Sequence, residues 1–180
     1  MKRIGKLLSL LLVICMLVSL TCSAFAAEAD TSMAGKVVIL HSNDVHGAIE
    51  GYAKIAQLKE DYAAKGAEVI LADAGDFIQG TPYVSLSKGA TAVEMMNAAG
   101  YDVATLGNHE FDFGYENLTT ILKEAKFHTI CADVAKDGES ILPGTTIIEK
   151  GGVKIGFFGL ETPETYTKVN PALIQGLSFA

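Results

Sequence analysis

Apolar runs with the character of strands alternate along this chain with stretches whose apolar period is three and four. Lys36 to His41 is β-branched and apolar and leads into His41-Ser42-Asn43-Asp44-Val45-His46-Gly47. Glu68 to Asp73 leads into Asp73-Ala74-Gly75-Asp76-Phe77-Ile78-Gln79-Gly80, and Val103 to Leu106 into Gly107-Asn108-His109-Glu110-Phe111-Asp112. Phe127 to Ala132 is the fourth run. Apolar segments this short predict strands buried on both faces. Between them, Tyr52 to Lys65 predicts a helix with Ile55, Leu58 and Tyr62 facing inward and Gly66 as its stop. Thr91 to Ala99 predicts another, with Val93, Met95 and Met96 inward and Gly100 behind it. Tyr115 to Lys126, striped by Leu118, Ile121, Leu122 and Ala125, is the third. Lys136 to Gly144 is a turn-rich excursion. Thr145 to Glu149 and Val153 to Leu160 flank Gly151-Gly152 and predict a hairpin.

The order βαβαβαβ followed by ββ specifies a layered α/β domain of mostly parallel βαβ units with a terminal hairpin. Asp76 lies 32 residues after Asp44, and Asn108 lies 32 residues after Asp76. A strand, its crossover helix and the next strand need roughly 30 residues. The three polar loops are therefore expected on one edge of one parallel sheet, where open α/β folds place their ligand sites.

The N-terminus reads differently. Lys2, Arg3 and Lys6 precede an apolar run of 14 residues, Leu7 to Leu20, and Ala24-Phe25-Ala26 offers a small-residue cleavage site. That is the layout of a secretory signal peptide over 1–26, short for a retained spanning anchor, followed by a linker at 27–35 and the domain proper at 36–180. Removal of 1–26 leaves 11 Lys against 21 Asp and Glu. Such an acidic chain argues against nucleic-acid binding and against an anionic membrane surface as partner, and it suits a protein that concentrates cations. Cys131 becomes the sole cysteine, so no disulfide within the chain is possible, and its apolar setting reads as packing.

The polar loops carry the chemistry. Asp44 and His46 are two apart, and an extended backbone would send both to one side. Oxygen plus imidazole suits a divalent transition metal, whereas the lack of cysteine ligands argues against structural zinc. Asp76, beside Gly75, can bridge two cations. Asn108 offers a neutral amide oxygen. His109 can ligate, donate a proton or face an anion, and Asp112, three residues on, can hold its ring. Glu110 reads as turn and helix-cap duty. Singly, each of these is an ordinary turn; three strand ends carrying them together describe a two-metal hydrolase.

Asp44-x-His46, Gly75-Asp76 with Gly80, and Gly107-Asn108-His109-Glu110 resemble the first three signature blocks of the calcineurin-like metallophosphoesterases. More narrowly, His41 to Gly47, Gln79-Gly80-Thr81-Pro82, Gly107 to Asp112 and Gly159-Leu160-Glu161-Thr162-Pro163-Glu164 are similar to the secreted 5′-nucleotidase and UDP-sugar hydrolase branch. The resemblance implies a four-layer α/β/β/α sandwich, of which this chain would hold about half. It implies two divalent metal ions (Mn, Zn, Co or Fe): Asp44 and His46 on the first, Asp76 bridging, Asn108 on the second. His109, oriented by Asp112, would stabilise the phosphoryl group or leaving oxygen, with Asn108 and His109 touching the nucleotide substrate while a metal-activated water attacks phosphorus.

The resemblance also implies later metal-binding histidines and a C-terminal substrate-binding domain, neither of which is in this sequence. His128, inside the apolar fourth strand, reads as structural. The 180 residues alone are thus expected to be inactive, and Leu177-Ser178-Phe179-Ala180 reads as an end with no closing element. A 2′,3′-cyclic-nucleotide phosphodiesterase or another phosphomonoesterase would share these blocks, and a non-catalytic metal- or nucleotide-binding module is the alternative from another class.

Overall fold

A computed structural model describes residues 30–180 of the chain. The expected signal peptide at 1–26, and residues 27–29 of the expected linker, lie outside the described residues. Of the rest of that linker, the turn at 31–34 is fastened to the domain, since the Met33 amide donates to Lys65 O.

Four parallel strands form the main sheet in chain order: β1 (Val37–Ser42), β2 (Glu68–Asp73), β3 (Val103–Ala104) and β4 (His128–Thr129). Ser42 pairs with Asp73, and Asp73 with Ala104, so the carboxyl ends of the first three strands are level. The α/β class and the shared edge are as the sequence predicts. The crossovers are α1 (Ile49–Ala64), a short α2 (Pro82–Ser85) with α3 (Ala90–Ala99), and α4 (Tyr115–Leu122). Strands laid down in sequence by crossovers of one hand place every helix on one face. Alternation along the strands then divides the side chains. Leu71 and Ala104 meet Tyr52, Val93, Met96 and Ile121 of the helices. Ile70, Val103 and Ile130 face the other way.

That second face is covered by the hairpin. After β4 the chain forms β5 (Val134–Lys136) and β6 (Glu139–Ser140), then the antiparallel pair β7 (Thr145–Lys150) and β8 (Val153–Phe158). Ile148, Ile155 and Phe157 of the pair pack on Ile70, Val103 and Ile130. Ile147 and Phe158, on the hairpin's outer side, stay exposed. A short α5 (Thr165–Lys168) leads to β9 (Leu177–Phe179), which joins β5 and β6 in a small antiparallel sheet. A separate core forms there from Leu106, Phe111, Leu118, Cys131, Val134 and Phe179.

Several expectations are corrected. Strands three and four pair over two residues each, because the Cys131 and Ala132 amides turn away to Pro143 O and Gly159 O. The third long helix stops at Leu122, where the Glu124 and Ala125 amides tighten to bonds three residues back. Leu58, expected inside, is exposed; Tyr52, Ile55 and Ala56 take the inner face. The excursion at 136–144 contains β6, and the end that read as unclosed is β9. His128 is exposed at the start of its strand. Among the described residues no helix is long and apolar enough to cross a membrane.

Candidate metal centre

Backbone bonds tie the three loops together side by side. The Asp44 amide donates to Gly75 O and the His46 amide to Asp76 O, each at 3.0 Å. The His109 amide donates to Asp76 Oδ1 at 2.8 Å. Asp76 therefore sits in the middle, held from both sides. Gly75 has φ +102°, and a Cβ there would lie 2.4 Å from the Gly107 nitrogen. Only a residue without a side chain lets these loops approach so closely.

Asp44, His46 and Asp76 have φ of +50°, +48° and +62°. Left-handed backbone at a non-glycine residue costs on the order of 1–3 kcal/mol and collects at functional sites. It also changes how the pair Asp44 and His46 meets. Extended alternation does not align them; two left-handed residues curl the loop until Asp44 Oδ1 lies 3.7 Å from His46 Nε2.

One potential ligand atom from each of His46, Asp76 and His109 falls within 4.8 Å of the other two. Their rings are close: the His46 and His109 centroids lie 4.9 Å apart at an interplanar angle of 76°. Each imidazole is anchored through Nδ1, His46 at 3.2 Å from Gln79 O and His109 at 2.6 Å from Asp112 Oδ2. With Nδ1 donating, a neutral ring carries its lone pair on Nε2, which is the arrangement that metal-ligating histidines adopt. Asp44 stands outside this three-way cluster, largely exposed. A hydrogen bond from the Asn43 amide, aided by the His46 ring, holds its carboxyl below the usual range. Asn108 is buried at the first position of a 3₁₀ turn, Asn108–Phe111.

Carboxyl groups also crowd behind the loops. Asp73 is buried, accepts from the Ser42 hydroxyl at 2.5 Å and the Gly75 amide at 2.9 Å, and is pushed up to about 6, chiefly by burial. The Ser42 hydroxyl also meets Tyr101 OH at 2.6 Å. Burial pushes Glu161 up to about 7, with the Asp76 and Asp133 charges adding to it. Its Oε1 accepts from Thr165, while its Oε2 is buried without a hydrogen-bond partner among the described residues. Burial pushes Glu110 upward as well, but the amides it accepts pull the other way and favour its charged form. The sequence did not single out Asp73, which closes an apolar strand. It gave Glu110 only cap duty, although glutamate three residues after a turn-opening glycine has the spacing of a capping box.

The donor set fits a divalent cation. Donors about 2.1 Å from a shared ion lie within about 4 Å of each other; the three atoms here lie within 4.8 Å, so a small side-chain adjustment would close them on one ion. Imidazole nitrogen with carboxylate and amide oxygen suits Mn, Zn, Co or Fe. Cys131, the only described thiol, is buried in the separate core around β5 and β9.

Residues 37–173 match the calcineurin-like phosphoesterase family. A snake venom 5′-nucleotidase from Gloydius brevicauda is 36% identical over 174 residues, covering 83% of this chain and 29% of its own. A 5′-nucleotidase from Vibrio cholerae is 34% identical over 165 residues, covering 84% of this chain and 30% of its own. The crystal structure of a 5′-nucleotidase precursor from Thermus thermophilus superposes with a TM-score of 0.70 at 28% identity, over 79% of this chain and 31% of that one. The chain spans less than a third of the length of these relatives.

Proposed function

The chain belongs to the calcineurin-like phosphoesterases, and from that membership we propose that it carries the metal-binding part of an exported, dinuclear phosphoesterase acting on nucleotides in the manner of a 5′-nucleotidase. The observation that carries this reading is the convergence of His46, Asp76 and His109 at the ends of three adjacent parallel strands. The relatives named as 5′-nucleotidases support the substrate class. The basic start and apolar run of residues 1–26 support export.

In this reading Asp44, His46, Asp76 and the Asn108 amide oxygen would hold the two ions. When bound, the ions would activate water and neutralise charge on the phosphoryl oxygens. The protein's own groups do the rest. The His109 amide fixes one Asp76 oxygen and so sets the direction of that carboxylate. Asp112 fixes the His109 ring through Nδ1; with the ring protonated at both nitrogens, its Nε2–H would face a phosphoryl oxygen or pass its proton to the departing alkoxide. Asn108 lies one residue away and would contact the same phosphate. The net negative charge of the chain repels a phosphate dianion, so bound cations would favour substrate association.

The test is phosphate release from AMP by the complete gene product, stripped with EDTA and then given Mn²⁺, beside Asp76→Asn and His109→Ala. Metal-dependent turnover lost in both variants is expected, with a fall of at least about 100-fold for the proton donor. Turnover indifferent to Asp76→Asn would overturn the reading.

A further inference from the structure

We infer that Glu110 is a positioning residue of this site: its carboxylate locks the Asp76 loop to the turn bearing Asn108 and His109, and thereby holds Asp76 in its left-handed conformation. The inference rests on the reading of the site as a metal centre. Glu110 has no solvent exposure. Its Oε1 accepts from the Phe77 amide at 2.8 Å and the Ile78 amide at 3.2 Å. Its Oε2 accepts from the Asp76 amide at 2.8 Å and the Gly107 amide at 2.6 Å. A carboxylate has about four lone-pair positions, and four backbone N–H groups occupy them.

This arrangement answers a need created by the fold. Past Asp73 the sheet ladder ends, while Phe77 and Ile78 bury their side chains completely. Three consecutive amides therefore enter the interior with no strand to receive them, and buried N–H groups must be paired. Glu110, reaching across from the next strand's loop, receives all three. It bonds Asp76 itself, and it bonds Gly107, the neighbour of Asn108, so both ends of the link act directly on the site. A purely packing role would not require contact with the backbone of Asp76.

Glu110→Gln replaces one acceptor oxygen by an NH₂ that meets amide donors head-on. It is expected to stay folded and to lose Mn²⁺ affinity by about tenfold or more, the range seen when groups orienting metal ligands are removed. The control is Asp102→Asn, at the opposite end of β3, where the carboxylate accepts the Leu71 amide and pairs with Lys59 and Lys150. That variant should lose stability while binding Mn²⁺ as the parent does.

The experiment is Mn²⁺ titration of the metal-stripped full chain by electron paramagnetic resonance, with urea melts of each apo form. A parent chain that binds no Mn²⁺ would overturn the metal-centre reading itself. A parent that binds, with Glu110→Gln binding equally well, would overturn the Glu110 inference alone. Should Glu110→Gln fail to fold, Glu110→Asp decides: it keeps the charge but, one methylene shorter, cannot span both loops. An intermediate affinity supports positioning, and parental affinity overturns it.

Discussion

Gly75→Ala is the most direct probe of how tightly the β2 and β3 loops meet. At φ +102° an alanine is strained by roughly 1–2 kcal/mol. Its Cβ would also lie 2.4 Å from the Gly107 nitrogen, 2.7 Å from the Leu106 carbonyl carbon and 2.9 Å from Gly107 Cα. All three are backbone atoms, so no side-chain rotation relieves the overlap. The loops must part by about 1 Å to restore ordinary contact, and overpacking of this kind costs about 1–3 kcal/mol. Together these give about 2–5 kcal/mol. For a chain of this length that is a fall in Tm of about 2–4 °C for each kcal/mol. Gly152→Ala supplies the reference: φ is +74° and nothing lies within 4 Å of the added Cβ, so strain acts alone. Urea denaturation of both variants separates the clash from the strain. Equal losses in the two would mean that the loops do not approach as described, and the close packing argued for Asp76 would fall with them.

The buried carboxyls make stability depend on pH. Glu161 titrates at about 7 in the folded chain, above its ordinary value, because burial disfavours its charge. A raised folded pKa means that the folded state holds the proton more tightly. Its contribution is thus complete below about 4.5, the ordinary glutamate range, and is lost as pH rises through about 7. Urea melts of the metal-free chain between pH 4.5 and 8 should show this decline, and Glu161→Gln should make it shallower, leaving the share that Asp73 contributes; an unchanged slope in the variant would refute the assignment. Tyr101→Phe removes a nearly buried hydroxyl from Ser42, which keeps its bond to Asp73. A loss of about 1 kcal/mol is expected, and a urea midpoint equal to the parent's would show that the Tyr101–Ser42 bond contributes nothing.

What the sequence made legible follows from what periodicity can encode. Apolar runs such as Val69 to Leu71 must be buried on both sides, and helical spacing such as Val93 to Met96 must face them, so the βαβ ladder and its shared edge could be read directly. Where strands stop is set by distant partners: Cys131 leaves the sheet because Pro143 O, 12 residues on, takes its amide. The site divides the same way. The residue types and the 32-residue intervals exposed Asp76 and its neighbours, because chemistry and topology are local in the chain. The left-handed turns that bring Asp44 to His46, and the amides of Asp76, Phe77 and Ile78 that converge on Glu110, come from three-dimensional pairing. A buried loop with unplaced amides implies an acceptor from elsewhere. The glutamate that closes the Gly107-Asn108-His109-Glu110 block therefore has a physical reason to be fully buried beside the candidate metal centre: its charge is held by backbone amides, and those amides place the Asp76 carboxylate at the site.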